Sequence, residues 1–189
     1  MDGVSLEKSP DRFEILLGVQ IQANLKWHAQ ISMLIAKLKT RLVGLAKLKF
    51  LAPYETRKTL NLRIFNSVLV YCLPLFGGCD KGQMRELQLL QNKAGQIVAH
   101  KPPRTNRAEL YDQLGWMTVN QLVAYHTLIT VFKIRQTTEP EYLAAILTLD
   151  NRNGKIILPN SKSVLAARSF CYRGASDWNS LPNKIRRVL

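Results

Sequence analysis

Acidic residues are missing between Glu14 and Glu55, a stretch that carries Lys26, Lys37, Lys39, Arg41, Lys47 and Lys49. Cations with no carboxylate among them make either a site for a polyanion or a solvated helix face. Cysteine is scarce as well. Cys72, Cys79 and Cys171 are too scattered for a disulfide framework, and none has a second cysteine or a histidine at zinc-ligand spacing. A disulfide-stapled fold is thereby excluded, and an intracellular, reducing compartment is expected, nucleus or cytoplasm. Long apolar runs are also absent. The longest run free of Asp, Glu, Lys, Arg and His, Ile64 to Cys79, falls short of the ~20 residues a bilayer requires and contains Asn66, Pro74, Gly77 and Gly78. No membrane partner is expected, and the first residues lack the apolar core of a signal peptide.

Catalytic signatures are missing too. The acids are isolated in sequence and no two aspartates are adjacent. Glu109 and Asp112, three apart on one helix face, are the nearest thing to a carboxylate pair, in positions suited to helix capping or solvent. There is no Gly-x-Ser-x-Gly elbow and no Gly-x-x-x-x-Gly-Lys phosphate loop. No catalytic residue, metal site or cofactor is expected, so the chain on its own is read as non-catalytic.

What the sequence does have is charge and a core. Lys and Arg number 27 against 13 Asp and Glu, a net charge of +14 in 189 residues. Nucleic acid is the partner such an excess favours, because neutralising phosphates uses many Lys and Arg. A hydrophobic fraction of 47% excludes disorder as the main state.

Periodicity supplies the elements. Residues 1–13 read as a disordered leader with a turn at Ser9-Pro10. Ile15, Leu17, Val19 and Ile21 alternate as a half-buried strand does, within a short β-hairpin that leads to a long basic helix. On that helix Ile31, Leu34, Ile35, Leu38, Leu42, Leu45 and Leu48 make the apolar face, while Lys37 and Arg41 stack at i, i+4. Pro53 opens a second helix with Leu60, Ile64, Val68 and Tyr71 inward. A third spans Gln83 to His100 with Leu87, Leu90, Ala94 and Ile97 inward, stopped by Pro102-Pro103. Asn106 and Thr118 are caps for two more helices, Gly115 closing the first, with Leu122, Tyr125, Ile129 and Phe132 facing inward on the second. Tyr142 to Leu149 reads as a short helix. Past Asp150 the composition turns basic and polar, and a soft boundary falls there.

Five short segments carry a resemblance. Leu17-Gly18-Val19 with Asn24-Leu25-Lys26-Trp27-His28, Tyr71 to Gly78, Leu90-Gln91-Asn92-Lys93-Ala94, and Leu114-Gly115-Trp116 come first. Arg168-Ser169-Phe170 with Trp178-Asn179-Ser180-Leu181-Pro182 and Ile185-Arg186 closes the series. In this order they resemble the reverse transcriptases of non-LTR, LINE-type (jockey-like) retrotransposons, from the end of the palm onward. Phe76 stands where that family usually has Trp, and Gly95-Gln96 where it often has Arg.

The resemblance implies a hairpin that supports the primer terminus (Leu17, Gly18, Val19, Trp27) and a helical thumb that grips a template–primer duplex. It also implies what is missing, since the family's Tyr/Phe-Ala-Asp-Asp metal ligands are not in this chain. The expected fold is mainly α: a hairpin, a helical bundle over residues 14–150, and an irregular basic post-thumb segment over 151–189. The expected nucleic-acid contacts are Lys26, Lys37, Arg41, Lys47, Lys49, Lys93, Lys101 and Arg104, binding RNA or an RNA–DNA hybrid. Trp27, Trp116 and Trp178 suit either helix anchoring or stacking on bases. A palm-containing polymerase chain is a further expected partner, and self-association through the hairpin edge another. The alternative is a helical interaction module, or an inactive retroelement remnant, with no nucleic-acid role.

Overall fold

The computed structural model describes residues 13–22, 24, 26–150, 152, 154–160 and 163–186. The expected leader thus lies outside the described residues, except that Phe13 already belongs to a strand. β1 (Phe13–Leu16) and β2 (Val19–Gln22) pair antiparallel, with Leu16 opposite Val19. The alternation read as one strand is therefore interrupted. Leu17 and Gly18 form the two-residue turn, both at positive φ, 49° and 78°, as a turn that matches the twist of the strands requires.

α1 (His28–Leu48) follows and buries Ile31, Leu34, Ile35, Leu38, Leu42 and Leu45. Two glutamines join it to the hairpin. Gln30 Oε1 accepts from the Gln20 amide at 2.8 Å, and Gln22 Oε1 from the Ala29 amide at 3.0 Å. Both side chains are buried, where an amide needs such partners.

α2 (Tyr54–Leu60), a π-helical stretch (Asn61–Asn66) and α3 (Ser67–Val70) run on as one rod. The π-turn inserts a residue and shifts the inward face. Phe65 and Leu69 are fully buried, whereas Ile64 and Val68 are only partly so and Tyr71 is exposed. The expected face of this rod is corrected accordingly. After α4 (Leu73–Phe76), α5 (Lys81–Val98) is capped by Asp80, whose side chain accepts from the Gln83 amide. α5 lies along α1, and with Phe65, Leu69, Leu73 and Phe76 they enclose the main core.

α6 (Arg107–Leu114) is capped by Asn106 and closed by Gly115, and α7 (Val119–Thr137) starts at a Thr118–Gln121 capping box. The inward face of α7 differs from the expected one. Val119, Val123, Thr127, Val131 and Ile134 are buried, Leu122, Ile129 and Phe132 are half-buried, and Tyr125 is exposed. Close approach explains the choice: a Cβ at Gly77 would sit 2.6 Å from Val123, and one at Gly174 2.7 Å from Val131. Backbones that near leave room for valine and threonine, not for tyrosine.

The expected helix to Leu149 ends earlier. α8 (Glu141–Ile146) gives way to β3 (Leu149–Asp150), which pairs with β4 (Lys155–Ile156) across a turn containing Gly154 at φ 66°. α9 (Val164–Ala167), α10 (Phe170–Ser180) and α11 (Asn183–Arg186) follow, separated by irregular stretches. α10 packs on α7 and β4. Ala175 and Trp178 join Val131, Ile134, Leu147 and Ile156 in a second core that crosses the soft boundary at residue 150.

Candidate nucleic-acid interface

One end of the bundle collects cations from three chain segments. Arg57 on α2 organises it, donating from Nη1 to the carbonyls of Ala52 at 2.6 Å and Lys49 at 3.3 Å, and from Nε to Val98 O at 3.0 Å. The C-terminal ends of α1 and α5 are thereby held side by side, their last carbonyls partnered by a charge that suits them. Above this knot the Phe50 and His100 rings meet edge to face, centroids 5.2 Å apart, and Lys49 Nζ lies 5.5 Å from the Phe50 centroid. Lys47 occupies the last turn of α1. Lys101 and Arg104 stand on the turn after α5, which Gln96 braces by donating to Pro103 O at 2.8 Å. Lys47, Lys101 and Arg104 are exposed and Lys49 half-exposed. Glu55 and Glu109 are the acids nearest to this group in sequence.

The other expected contacts do not join it. Lys37 and Arg41 are exposed one turn apart at mid-helix on α1. Lys39, on another face of the same helix, is paired with Glu86 of α5 at 3.3 Å. Lys93 is exposed on α5, short of the basic end. Lys26 precedes α1 at its opposite terminus, a helix of 21 residues away, or about 30 Å at 1.5 Å per residue. The eight expected cations thus divide into a cluster at one end, a pair along α1, and two separate positions.

Lys26 and Trp27 border a groove of about 330 Å³ together with Leu75, Arg168 and Phe170. The hairpin end and the Arg168-Ser169-Phe170 segment therefore meet. Trp27 takes φ 64° as the residue preceding α1 and is half-buried on the main core. Leu17 is the outlier of the hairpin, 82% exposed in a left-handed conformation that is unfavourable for a leucine. The Tyr71 hydroxyl donates to its carbonyl at 2.7 Å. Val19, by contrast, is buried. The exposed apolar surface of the hairpin is carried by Phe13, Ile15, Leu16 and Leu17, so of the four alternating residues Ile15 and Leu17 face out while Val19 is buried and Ile21 half-buried.

The remaining segments of the resemblance serve the interior. Gln91 donates to Met117 O at 3.0 Å, and the Tyr111 hydroxyl lies 2.9 Å from Gln91 Oε1 and 2.8 Å from Asn92 Oδ1. Burial pushes the Tyr111 phenol up to about 12. Gly95 lets α6 approach, since a Cβ there would lie 3.1 Å from Leu114. Trp178 is fully buried, donates to Gly154 O, and lies under the Arg135 guanidinium at 4.4 Å, so it does not stack on a base. Asn179 bonds both the amide and the carbonyl of Ile156, at 2.8 and 2.9 Å, in the manner of a strand neighbour. Arg173 donates to Arg168 O at 3.0 Å and to Pro74 O at 2.5 Å, and burial lowers its pKa.

Sequence reading missed Arg57, Phe50, His100, Gln22 and Gln30. Their roles depend on carbonyls and amides exposed by the folded chain, for which residue type and spacing carry no signal. Among the described residues no helix is long and apolar enough to cross a membrane, and no three His, Cys, Asp or Glu side chains are grouped as a metal ion requires. Set against family models, curated proteins and solved structures, the chain finds no match in any of the three.

Proposed function

We propose that the chain is a non-catalytic, thumb-like nucleic-acid-binding element, similar to the region following the palm in non-LTR retrotransposon reverse transcriptases. The observation that carries this reading is the convergence of Lys47, Lys49, Lys101 and Arg104 on one end of the bundle. Exposed cations on rigid helix ends neutralise backbone phosphates and release counterions, with little reading of base identity. Arg57 holds the platform while the exposed side chains make the contacts. An RNA–DNA hybrid or RNA duplex is the proposed ligand. A titration against an RNA–DNA hybrid, duplex RNA, single-stranded RNA and polyglutamate tests it. Tightest binding to the hybrid or the RNA duplex supports the reading. Equal binding to polyglutamate leaves only a basic surface and favours the interaction-module alternative.

A second reading starts from the hairpin. β1 is exposed along its whole length, and Phe13, Ile15, Leu16 and Leu17 form an uncovered apolar edge. Unpaired strand edges with apolar side chains associate with other chains. A palm-containing polymerase chain or a second copy of this one is the partner that such an edge fits. Sedimentation analysis of the chain and of an Ile15→Thr/Leu17→Asn variant is the check. A dimer lost in the variant assigns the edge to self-association. A monomer in both leaves a separate chain as its partner.

A further inference from the structure

A second site lies beside the basic end, where the rod of α2 and α3 is interrupted by the π-helical stretch. Asn61, the first residue of that stretch, is only 4% exposed, and its Oδ1 has no hydrogen-bond partner. A buried carbonyl oxygen without a donor is unfavourable, and π-turns recur at functional positions. Asn61 lines a cavity of about 210 Å³ whose other walls include Lys58, Asn66, Trp116, Met117 and Leu122. That volume is below the ~300 Å³ at which pockets for drug-sized ligands begin, so it suits a single ring system. The lining combines an aromatic and three aliphatic side chains with three amides, Gln91 being the third, and Lys58 is exposed at one side. Lys58 adjoins Arg57, so the cavity lies within about two helical turns of the phosphate-binding end.

We propose that this cavity takes one unstacked nucleobase, with an N–H of the base donating to Asn61 Oδ1, the ring against Trp116 and Met117, and the attached phosphate near Lys58. A ring, a buried acceptor and an adjacent cation are the three features a nucleotide presents in complement. The inference rests on the backbone-binding reading for its setting, because a strand crossing the basic end brings a base to the mouth of the cavity.

The test compares adenosine and cytidine 5′-monophosphate with ribose 5-phosphate by calorimetry, and an RNA strand with the same strand carrying abasic positions. Wild-type chain and an Asn61→Leu variant are used in each. The proposal expects a monophosphate to bind where ribose 5-phosphate does not, the abasic strand to bind more weakly, and Asn61→Leu to lose at least about tenfold in both. It also expects that variant to melt no lower than wild type, since it removes an unsatisfied buried oxygen and keeps the branched shape, with the open cavity beside it taking the extra methyl bulk. A Lys58→Gln variant, altered only at an exposed side chain, is expected to weaken monophosphate binding severalfold. The proposal is overturned if neither monophosphate binds, if Asn61→Leu binds as wild type does, or if the variant unfolds because Asn61 holds the fold. Undiminished binding of the abasic strand would overturn the cavity's role while leaving the backbone reading intact. Binding of a monophosphate without any strand binding would do the reverse.

Discussion

Two sets of cations in this chain do opposite things. At the joint of α7, α10 and α4, Arg135 and Arg173 are turned inward, one over the Trp178 ring and the other onto the carbonyls of Arg168 and Pro74. At the end of α1 and α5, Lys47, Lys49, Lys101 and Arg104 remain in contact with water, and only Arg57 is drawn in beneath them. A net charge of +14 therefore overstates the field available to a ligand in one region and understates its concentration in the other. Inward arginines satisfy carbonyls and hold helices together. Outward cations do little for the fold, since exposed charges are worth little to stability, and they are the ones proposed to meet phosphates.

Interior substitutions should break this contrast most strongly. Trp178→Ala removes a fully buried indole and is expected to cost about 3–5 kcal/mol in denaturant unfolding. Arg173→Leu leaves the Pro74 and Arg168 carbonyls without their donor, and a loss of about 2 kcal/mol is expected by the same measurement. Under conditions where either variant is folded, its affinity for an RNA–DNA hybrid should match that of the parent chain. A hybrid affinity lowered in the folded Arg173 variant would show that the inward set also binds.

The same contrast extends to pH. Burial raises the Cys79 thiol from its ordinary 9.0 to about 11 and the Tyr111 phenol from 10.0 to about 12. Both groups keep their protons longer in the folded chain than in the unfolded one. Their contribution to stability is thus complete below about pH 9 and is lost as pH rises through about 11 to 12. Melting temperatures should decline across that window. Cys79→Ala should flatten the early part of the decline, and an unchanged profile would place the titrating groups elsewhere.

The parts readable from sequence were those governed by local chemistry. Asn106, Gly115 and Thr118 were identifiable as caps because a side-chain acceptor or a left-handed residue is needed there whatever the tertiary setting. The apolar face of α1 was equally plain, since one continuous stripe faces one core. The face of the second helix is not legible because a π-turn at Asn61–Asn66 changes its phase without changing composition. On α7 two faces have helical spacing, and the one through Val123 and Val131 is buried because Gly77 and Gly174 bring neighbouring backbones close enough to favour valine and threonine. The site fared similarly. Lys47, Lys49, Lys101 and Arg104 are each legible as uncompensated cations, but their convergence depends on Arg57 bonding three carbonyls at two helix ends, which no spacing in the chain encodes.

The most direct measurement is the salt dependence of RNA–DNA hybrid binding for the parent chain and for a Lys47/Lys49/Lys101/Arg104→Ala variant, with a Lys26/Lys37→Ala variant as the comparison. If the basic end grips the backbone, the slope of log affinity against log salt falls by roughly one for each contacting cation removed, so by about three to four in the fourfold variant. The comparison variant should change by no more than about one, and all three chains should melt within a degree or two of each other. Equal slopes for parent and fourfold variant would contradict the account.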